Sequence, residues 1–126
     1  MIDWLEKNRY VAIILTVFIA IEIFYFSSIP GGGEPVGAAQ ISGITTAYHI
    51  IVFFLFNFFL MVSIKGNKKI KISYIVIALV ISVAYAFLDE FHQLFIPFRE
   101  ATIKDVLTDA VGIFSSTIVY LFTKKS

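Results

Sequence analysis

The sequence contains no cysteine, which excludes disulfide bonds, a catalytic thiolate and a zinc site built from cysteines. It is also poor in charge. Only 15% of its 126 residues are charged and 59% are hydrophobic, against about 25% and about 45–50% in a soluble domain. A soluble domain of this length leaves much of its surface in water, so we expect a lipid bilayer to be the main solvent. A formal net charge of +1 gives no support for a nucleic-acid partner.

The first apolar run follows Lys7 and Arg9 and so resembles the start of a secretory signal peptide. The run begins at Tyr10 and is longer than the apolar core of such signals. No cleavage site with the small-x-small pattern follows Ser28. We therefore expect this run to be retained as the first membrane span.

Four stretches are long and apolar enough to cross a bilayer, since a spanning helix needs about 20 largely apolar residues. They run from Tyr10 to about Ser28, Ala47 to Ile64, Ile72 to about Phe95, and Ile103 to Thr123. Pro30, Gly66 and Pro97 separate them, and Thr102 with Asp105 has the spacing of a helix-capping box. The sequence predicts one all-α domain over residues 1–126, a polytopic bundle of four transmembrane helices.

Lysine and arginine are distributed unevenly among the predicted loops. Most of them flank the same ends of the spans, as Lys7, Arg9, Lys65, Lys68, Lys69, Lys71, Lys124 and Lys125. The loop from Pro30 to Thr46 has none, and the third loop has Arg99 and Lys104. Because cytoplasmic loops carry excess lysine and arginine, we expect both termini in the cytoplasm and a multi-pass protein of the cell membrane. The glycine-rich first loop is either an external linker or a lid.

With this orientation, polar side chains gather near the outer ends of the spans. They are His49, Asp89, Glu90, His92, Gln93, Arg99, Asp105 and Asp109. Helical spacing predicts that Gln93 bridges Asp89 and Glu90, and that His92 has Asp89 as a partner three residues away. The last span also has a narrow stripe of small and acidic residues, which predicts close packing on a neighbouring helix: Asp105, Asp109, Gly112 and Ser116.

Glu22 lies deeper than the other acids, roughly 12 Å below Pro30 at about 1.5 Å per residue. A charge at the bilayer centre costs about 2.5–3.5 kcal/mol on insertion scales. We therefore expect Glu22 to face the bundle and to have either a partner or a proton.

The run from Asp89 to Arg99, followed by the run from Asp105 to Gly112, resembles the signature of the VanZ-like family. That signature reads approximately D-E-x-x-Q-x-x-x-P-x-R, a Ser or Thr, then D-x-x-x-N/D-x-x-G. The Phe26–Pro30 end of the first span and His49 also resemble the family pattern. The resemblance covers most of the chain. It implies a small multi-span bacterial membrane protein; the family's name-giving member is associated with resistance to the glycopeptide teicoplanin.

The chain departs from this pattern at two positions. Phe98 stands where glycine often precedes the arginine, and Asp109 stands where asparagine is frequent. The additional acid at Asp109 makes the site more negative than the resemblance implies, which weakens a simple anion-binding role.

Three interpretations of the polar cluster stay open. In the first, it is a structural clamp in which Arg99 ties Glu90, Gln93 and Asp105 together. In the second, it binds a lipid-linked or wall-precursor molecule at the outer leaflet and lowers the access of glycopeptides to their target. The residues that would line this pocket are His49, Asp89, Glu90, Gln93, Arg99, Asp105 and Asp109.

The third interpretation is a membrane hydrolase or transferase acting on a phospholipid or a polyprenyl phosphate. Glu90 or Asp105 would be the general base, His49 or His92 would carry the proton, and Arg99 would hold phosphate. A transporter is disfavoured because four spans show no internal repeat.

The sequence assigns no metal and no cofactor. His49, Glu90, His92 and Asp105 offer nitrogen and oxygen ligands, but they would come from three helices and lack a compact zinc spacing. The glycines after Pro30 do not lead into a phosphate-binding loop followed by lysine.

Overall fold

The computed structural model describes residues 2–28, 38–95 and 103–123; within these ranges the side chains of residues 38–46 and 103–105 are not described. The described ranges contain helices and turns and no strand, which confirms the predicted all-α fold. The helices are α1 (Ile2–Lys7), α2 (Arg9–Ser27), α3 (Ala38–Lys65), α4 (Ile72–Gln93) and α5 (Ile103–Thr123). Pro30, Pro97, Arg99 and Thr102 lie outside the described residues.

The helix bounds follow the predicted spans closely except at the start of α3. This helix begins at Ala38, so the prediction of a loop as far as Thr46 is wrong for its second half. Gly43 lies in this part, and one glycine in a helix costs only about 1 kcal/mol relative to alanine. The stretch that is apolar enough to span a membrane nevertheless starts at Ala47. Helix α4 ends slightly early, at Gln93 rather than Phe95.

Four of the described helices are long and apolar enough to cross a membrane, over Arg9–Ser27, Ala47–Lys65, Ile72–Gln93 and Val106–Thr123. Their outward faces consist of large apolar side chains at helical spacing. On α2 these include Tyr10, Ile14, Phe18, Ile21 and Tyr25, and on α5 they include Leu107, Val111, Phe114, Ile118 and Phe122. Such faces suit lipid rather than water. The protein is therefore a membrane protein.

Helix α3 lies at the centre of the bundle. Half of its spanning segment is buried, compared with 28%, 22% and 33% for those of α2, α4 and α5. It packs most extensively on α5 and then on α2, and α4 packs on both α5 and α3. Because successive spans run in opposite directions, the spanning part of α3 and that of α5 start at the same end of the bundle, where α2 and α4 finish. We call this the His49 end and the opposite one the Lys65 end.

Helix α5 approaches helix α3 closely at Gly112. A Cβ atom added to Gly112 would collide with the main-chain carbonyl of Ile50 and lie 3.1 Å from the backbone nitrogen of Phe54. Only glycine allows the two backbones to lie this close. The predicted packing of the small-residue stripe is confirmed for its described part, since Asp109, Gly112 and Ser116 are all buried.

Below this contact, a polar network built on Asn57 ties three spans together. The Asn57 amide donates to Ser116 Oγ at 2.7 Å and to Thr117 Oγ1 at 2.9 Å, both on α5. Those hydroxyls donate in turn to the carbonyl of Ile113, and Ser82 Oγ on α4 donates to Asn57 Oδ1 at 2.9 Å. Hydrogen bonds of this kind stabilise helix association in a bilayer, where no water competes.

A buried ion pair joins helices at the Lys65 end. Lys65 Nζ lies 2.8 Å from Glu6 Oε2, and the hydroxyl of Tyr120 donates to the same carboxylate oxygen. These three residues join α1, α3 and α5. Gly66 follows with φ of 56°, a left-handed conformation that ends α3 and favours glycine.

Substitution of Gly112 by alanine tests the packing of α5 on α3. Helix propensity alone would stabilise the variant by about 1 kcal/mol, but the collision with the α3 backbone should reverse the sign and destabilise the protein by about 1–3 kcal/mol. Unfolding in a denaturing detergent series measures the effect. Val111→Leu, which adds volume to the adjacent lipid-facing position, should change stability by less than about 0.5 kcal/mol. A Gly112→Ala protein more stable than wild type contradicts the packing.

Candidate functional site

Three helices bring His49, Asp89 and Asp109 together at the His49 end. One ligating atom from each residue lies within 4.8 Å of the others, and all three side chains are buried. His49 lies near the start of the α3 span, Asp89 near the end of α4 and Asp109 near the start of the α5 span. We call these residues the His49 cluster. The sequence analysis placed all three in the lining of one seven-residue pocket, but it did not single out this set of three.

The shortest contact in the cluster joins α3 to α5. His49 Nδ1 lies 2.7 Å from Asp109 Oδ1, and the Asp109 side chain has no exposed surface. Asp109 lies one turn before Gly112, and His49 is the neighbour of Ile50. The close approach of the two backbones therefore sets the distance between imidazole and carboxylate.

Asp89 is fixed by its own helix. Gln93 Nε2 donates to Asp89 Oδ2 at 3.3 Å, which confirms one of the two contacts predicted for Gln93. Glu90, Asp89 and Gln93 are all buried. Among the described residues, this end of the bundle therefore contains six buried polar side chains from four helices: Ser27, His49, Asp89, Glu90, Gln93 and Asp109.

His92 has a different partner from the predicted Asp89. Its Nε2 lies 2.8 Å from Ser28 Oγ, and its ring stacks on Phe24 with centroids 4.6 Å apart. Since the Ser28 hydroxyl donates to the Phe24 carbonyl, it accepts the hydrogen bond from His92 Nε2–H. Helical spacing identified a neighbour on α4, but the ring turns towards α2. His92 therefore joins α4 to α2 outside the His49 cluster.

The remaining predicted site residues are Glu22, Arg99 and Asp105. Glu22 is half-buried on α2, and no described residue hydrogen-bonds it. The expected partner is thus not found in the described part of the chain. The side chain of Asp105 and the whole of Arg99 lie outside the described residues.

Three buried polar residues to which the sequence analysis gave no contact join neighbouring helices: Glu6, Asn57 and Lys65. The burial of Asn57 could have been predicted from the sequence, because it is a lone amide within an apolar run. Nothing in the sequence indicates that Glu6 and Lys65 form a pair, since they are 59 residues apart and flank different spans.

The His49 cluster offers an imidazole nitrogen and carboxylate oxygens as reactive or ligating atoms. Carboxylates accept hydrogen bonds from hydroxyl, amide or ammonium groups. An imidazole oriented by a carboxylate can transfer a proton. Both groups are also metal ligands. The site can therefore bind polar ligands, and it has the elements of acid–base chemistry.

Comparison with known proteins yields a family. A sequence model of the VanZ/LLP1 family matches residues 6–124, a range from α1 to beyond the end of α5 that contains every residue of the His49 cluster. No curated protein and no solved structure matches the chain.

A double-mutant cycle between His49 and Asp109 tests the central contact. His49→Ala and Asp109→Ala should each destabilise the protein, and their combination should show a coupling energy of about 1–3 kcal/mol, typical of a hydrogen bond to a charged group. The matched cycle of His92→Ala with Asp109→Ala should be additive within about 0.5 kcal/mol, because His92 bonds to Ser28 instead. Additivity in both cycles contradicts the contact.

Proposed function

The chain belongs to the VanZ/LLP1 family, and from this premise we propose that it binds a lipid-linked molecule of the bacterial envelope. The ligand is an envelope lipid or a wall precursor, and it binds at the extracytoplasmic face of the cell membrane. Binding would lower the access of glycopeptides such as teicoplanin to their target. The protein acts as a binding protein and not as an enzyme in this proposal.

The observation that carries the proposal is the convergence of buried polar side chains at the His49 end. Placing several ionisable groups in an apolar bundle is costly, and such residues mark functional sites by default. Other contacts hold the helices of the bundle together, namely the Asn57 network and the Glu6–Lys65 pair. Asp89 and Glu90 are not needed for either of those contacts.

The chemistry of the site favours a headgroup rich in hydrogen-bond donors. Sugar hydroxyls and peptide amides would donate to the carboxylates of Asp89, Glu90 and Asp109. Arg99 follows Gln93 by six residues in the family motif, and its planar fork suits a phosphate. A sugar–peptide headgroup joined to a lipid through phosphate offers both kinds of group.

The external location is supported by charge. Every lysine and arginine whose side chain is described lies at or beyond the Lys65 end, as Lys7, Arg9, Lys65, Lys68, Lys69 and Lys71. By the positive-inside rule, this distribution supports a cytoplasmic Lys65 end and an external His49 end.

Cysteine labelling tests this orientation, because the chain has no cysteine of its own. A membrane-impermeant maleimide should label Gly32→Cys on intact cells and should label Asn67→Cys only after permeabilisation. The opposite pattern would place the His49 end in the cytoplasm and remove the external binding site.

Arg99→Gln tests ligand binding. In gently extracted protein, lipid mass spectrometry should detect a phosphate-bearing lipid with wild type and several-fold less with the variant, and teicoplanin susceptibility should rise when the variant replaces wild type. The control is Lys68→Gln, which removes one cation from an exposed turn and should change neither. An Arg99→Gln protein that fails to accumulate while Lys68→Gln does would support the structural clamp.

A second candidate function is favoured by the contact of His49 Nδ1 with Asp109. A carboxylate that orients an imidazole is a common part of hydrolases, and Glu90 would act as the general base. In the same lipid analysis, a released product that disappears with Glu90→Gln would identify a hydrolase or transferase instead of a binding protein.

A further inference from the structure

We propose that the His49 cluster is a binding site for a divalent transition-metal ion, with His49, Asp89 and Asp109 as its protein ligands. The sequence offered a different set, His49, Glu90, His92 and Asp105, and pointed to no metal. Of that set, His92 bonds to Ser28 on α2, and the side chain of Asp105 lies outside the described residues. The structure supplies in its place three residues that no short motif connects.

The geometry is close to that of a bound metal. One ligating atom from each residue lies within 4.8 Å of the others. Ligands at about 2.0–2.2 Å from a tetrahedral ion lie about 3.4 Å apart, so a small side-chain rotation closes the site. The shortest pair, His49 Nδ1 and Asp109 Oδ1, lies at the hydrogen-bond distance of 2.7 Å and would move slightly apart around an ion. A metal ion would replace the proton that these two atoms share.

The site has features that distinguish it from acidic groups on a protein surface. The exposures of His49, Asp89 and Asp109 are 7%, 6% and 0%, so water contributes little to solvating their charges. Each ligand comes from a different packed helix, and the α3–α5 backbone contact at Gly112 holds two of them in register. Gln93 Nε2 donates to Asp89 Oδ2, as outer-shell residues do for metal-binding carboxylates.

The donor set selects the metal. One imidazole with two carboxylates favours Zn²⁺ or Mn²⁺ over the hard cations Mg²⁺ and Ca²⁺, which prefer oxygen ligands alone. Since affinities for a nitrogen and oxygen site rise from Mn²⁺ to Zn²⁺, Zn²⁺ should bind most tightly of these four. Three protein ligands leave at least one coordination position open.

The metal site and the proposed function are separable. Metal binding concerns the protein alone and does not require a lipid. An open coordination position would additionally let an acid-rich site hold a phosphate oxygen, a consequence that rests on the proposed function.

Metal titration of the purified full-length chain tests the proposal. The protein is prepared without a polyhistidine tag, reconstituted in nanodiscs, stripped with a chelator and titrated with Zn²⁺ against a chromophoric competitor. We expect one Zn²⁺ per chain, weaker Mn²⁺ binding and weaker still Mg²⁺ binding. His49→Ala and Asp89→Asn should each lower the Zn²⁺ affinity by about tenfold or more, since even outer-shell changes cost about 10–100-fold. Zn²⁺ should also raise the melting temperature of wild type but not of Asp89→Asn.

Matched controls separate the cluster from adventitious binding. His92→Ala removes the only other histidine, and Glu6→Gln removes a buried carboxylate at the Lys65 end; both should keep wild-type affinity. The proposal is overturned if wild type binds no Zn²⁺ at micromolar concentration, or if binding survives both His49→Ala and Asp89→Asn. It is also overturned if His92→Ala abolishes binding. Asp109→Asn is a third variant that should lower the Zn²⁺ affinity. If it fails to fold, the Zn²⁺ affinity of Asp89→Asn decides whether the proposal stands.

Discussion

The fold and the candidate site both depend on the close approach of α5 to α3 at Gly112. Because no Cβ separates this position from the backbone of Ile50 and Phe54, Asp109 one turn away meets His49, and Ser116 one turn further on meets Asn57. A single small residue thus sets the spacing of a polar contact above it and a polar network below it. In lipid, where the hydrophobic effect does not hold helices together, such packing and hydrogen bonding supply the cohesion.

The polar side chains of the bundle are layered along its axis, and each layer has a distinct chemistry. The Glu6–Lys65 pair at one end is balanced in charge, and the Asn57 network in the middle is neutral. The His49 end instead combines an imidazole with three carboxylates, those of Asp89, Glu90 and Asp109. Imidazole nitrogen and carboxylate oxygen are groups that accept hydrogen bonds and bind metal ions. This contrast directs both the proposed lipid headgroup and the proposed metal ion to the His49 end.

Much of this architecture was predictable, because a bilayer imposes length and apolarity on each span. The start of α3 was not, since a glycine that is typical of a loop, Gly43, is tolerated in a helix. Helical spacing correctly paired Gln93 with Asp89 but assigned His92 the wrong partner, because spacing describes neighbours on one helix and not across helices. The same reason hides the contact of His49 with Asp109, 60 residues away. The sequence analysis expected both residues in one pocket, and only the packing of three helices showed which side chains make contact.

Histidine-selective ¹⁵N NMR is the most direct test that the side chains of His49, Asp89 and Asp109 lie together in one buried site. The chain has only two histidines, so the spectrum contains the signals of two imidazole rings. The signals that disappear in His92→Gln belong to His92. Asp89→Asn and Asp109→Asn should each shift the ring nitrogens of His49 and leave those of His92 in place. A His49 ring that responds to neither substitution, or a His92 ring that responds to both, would contradict the account.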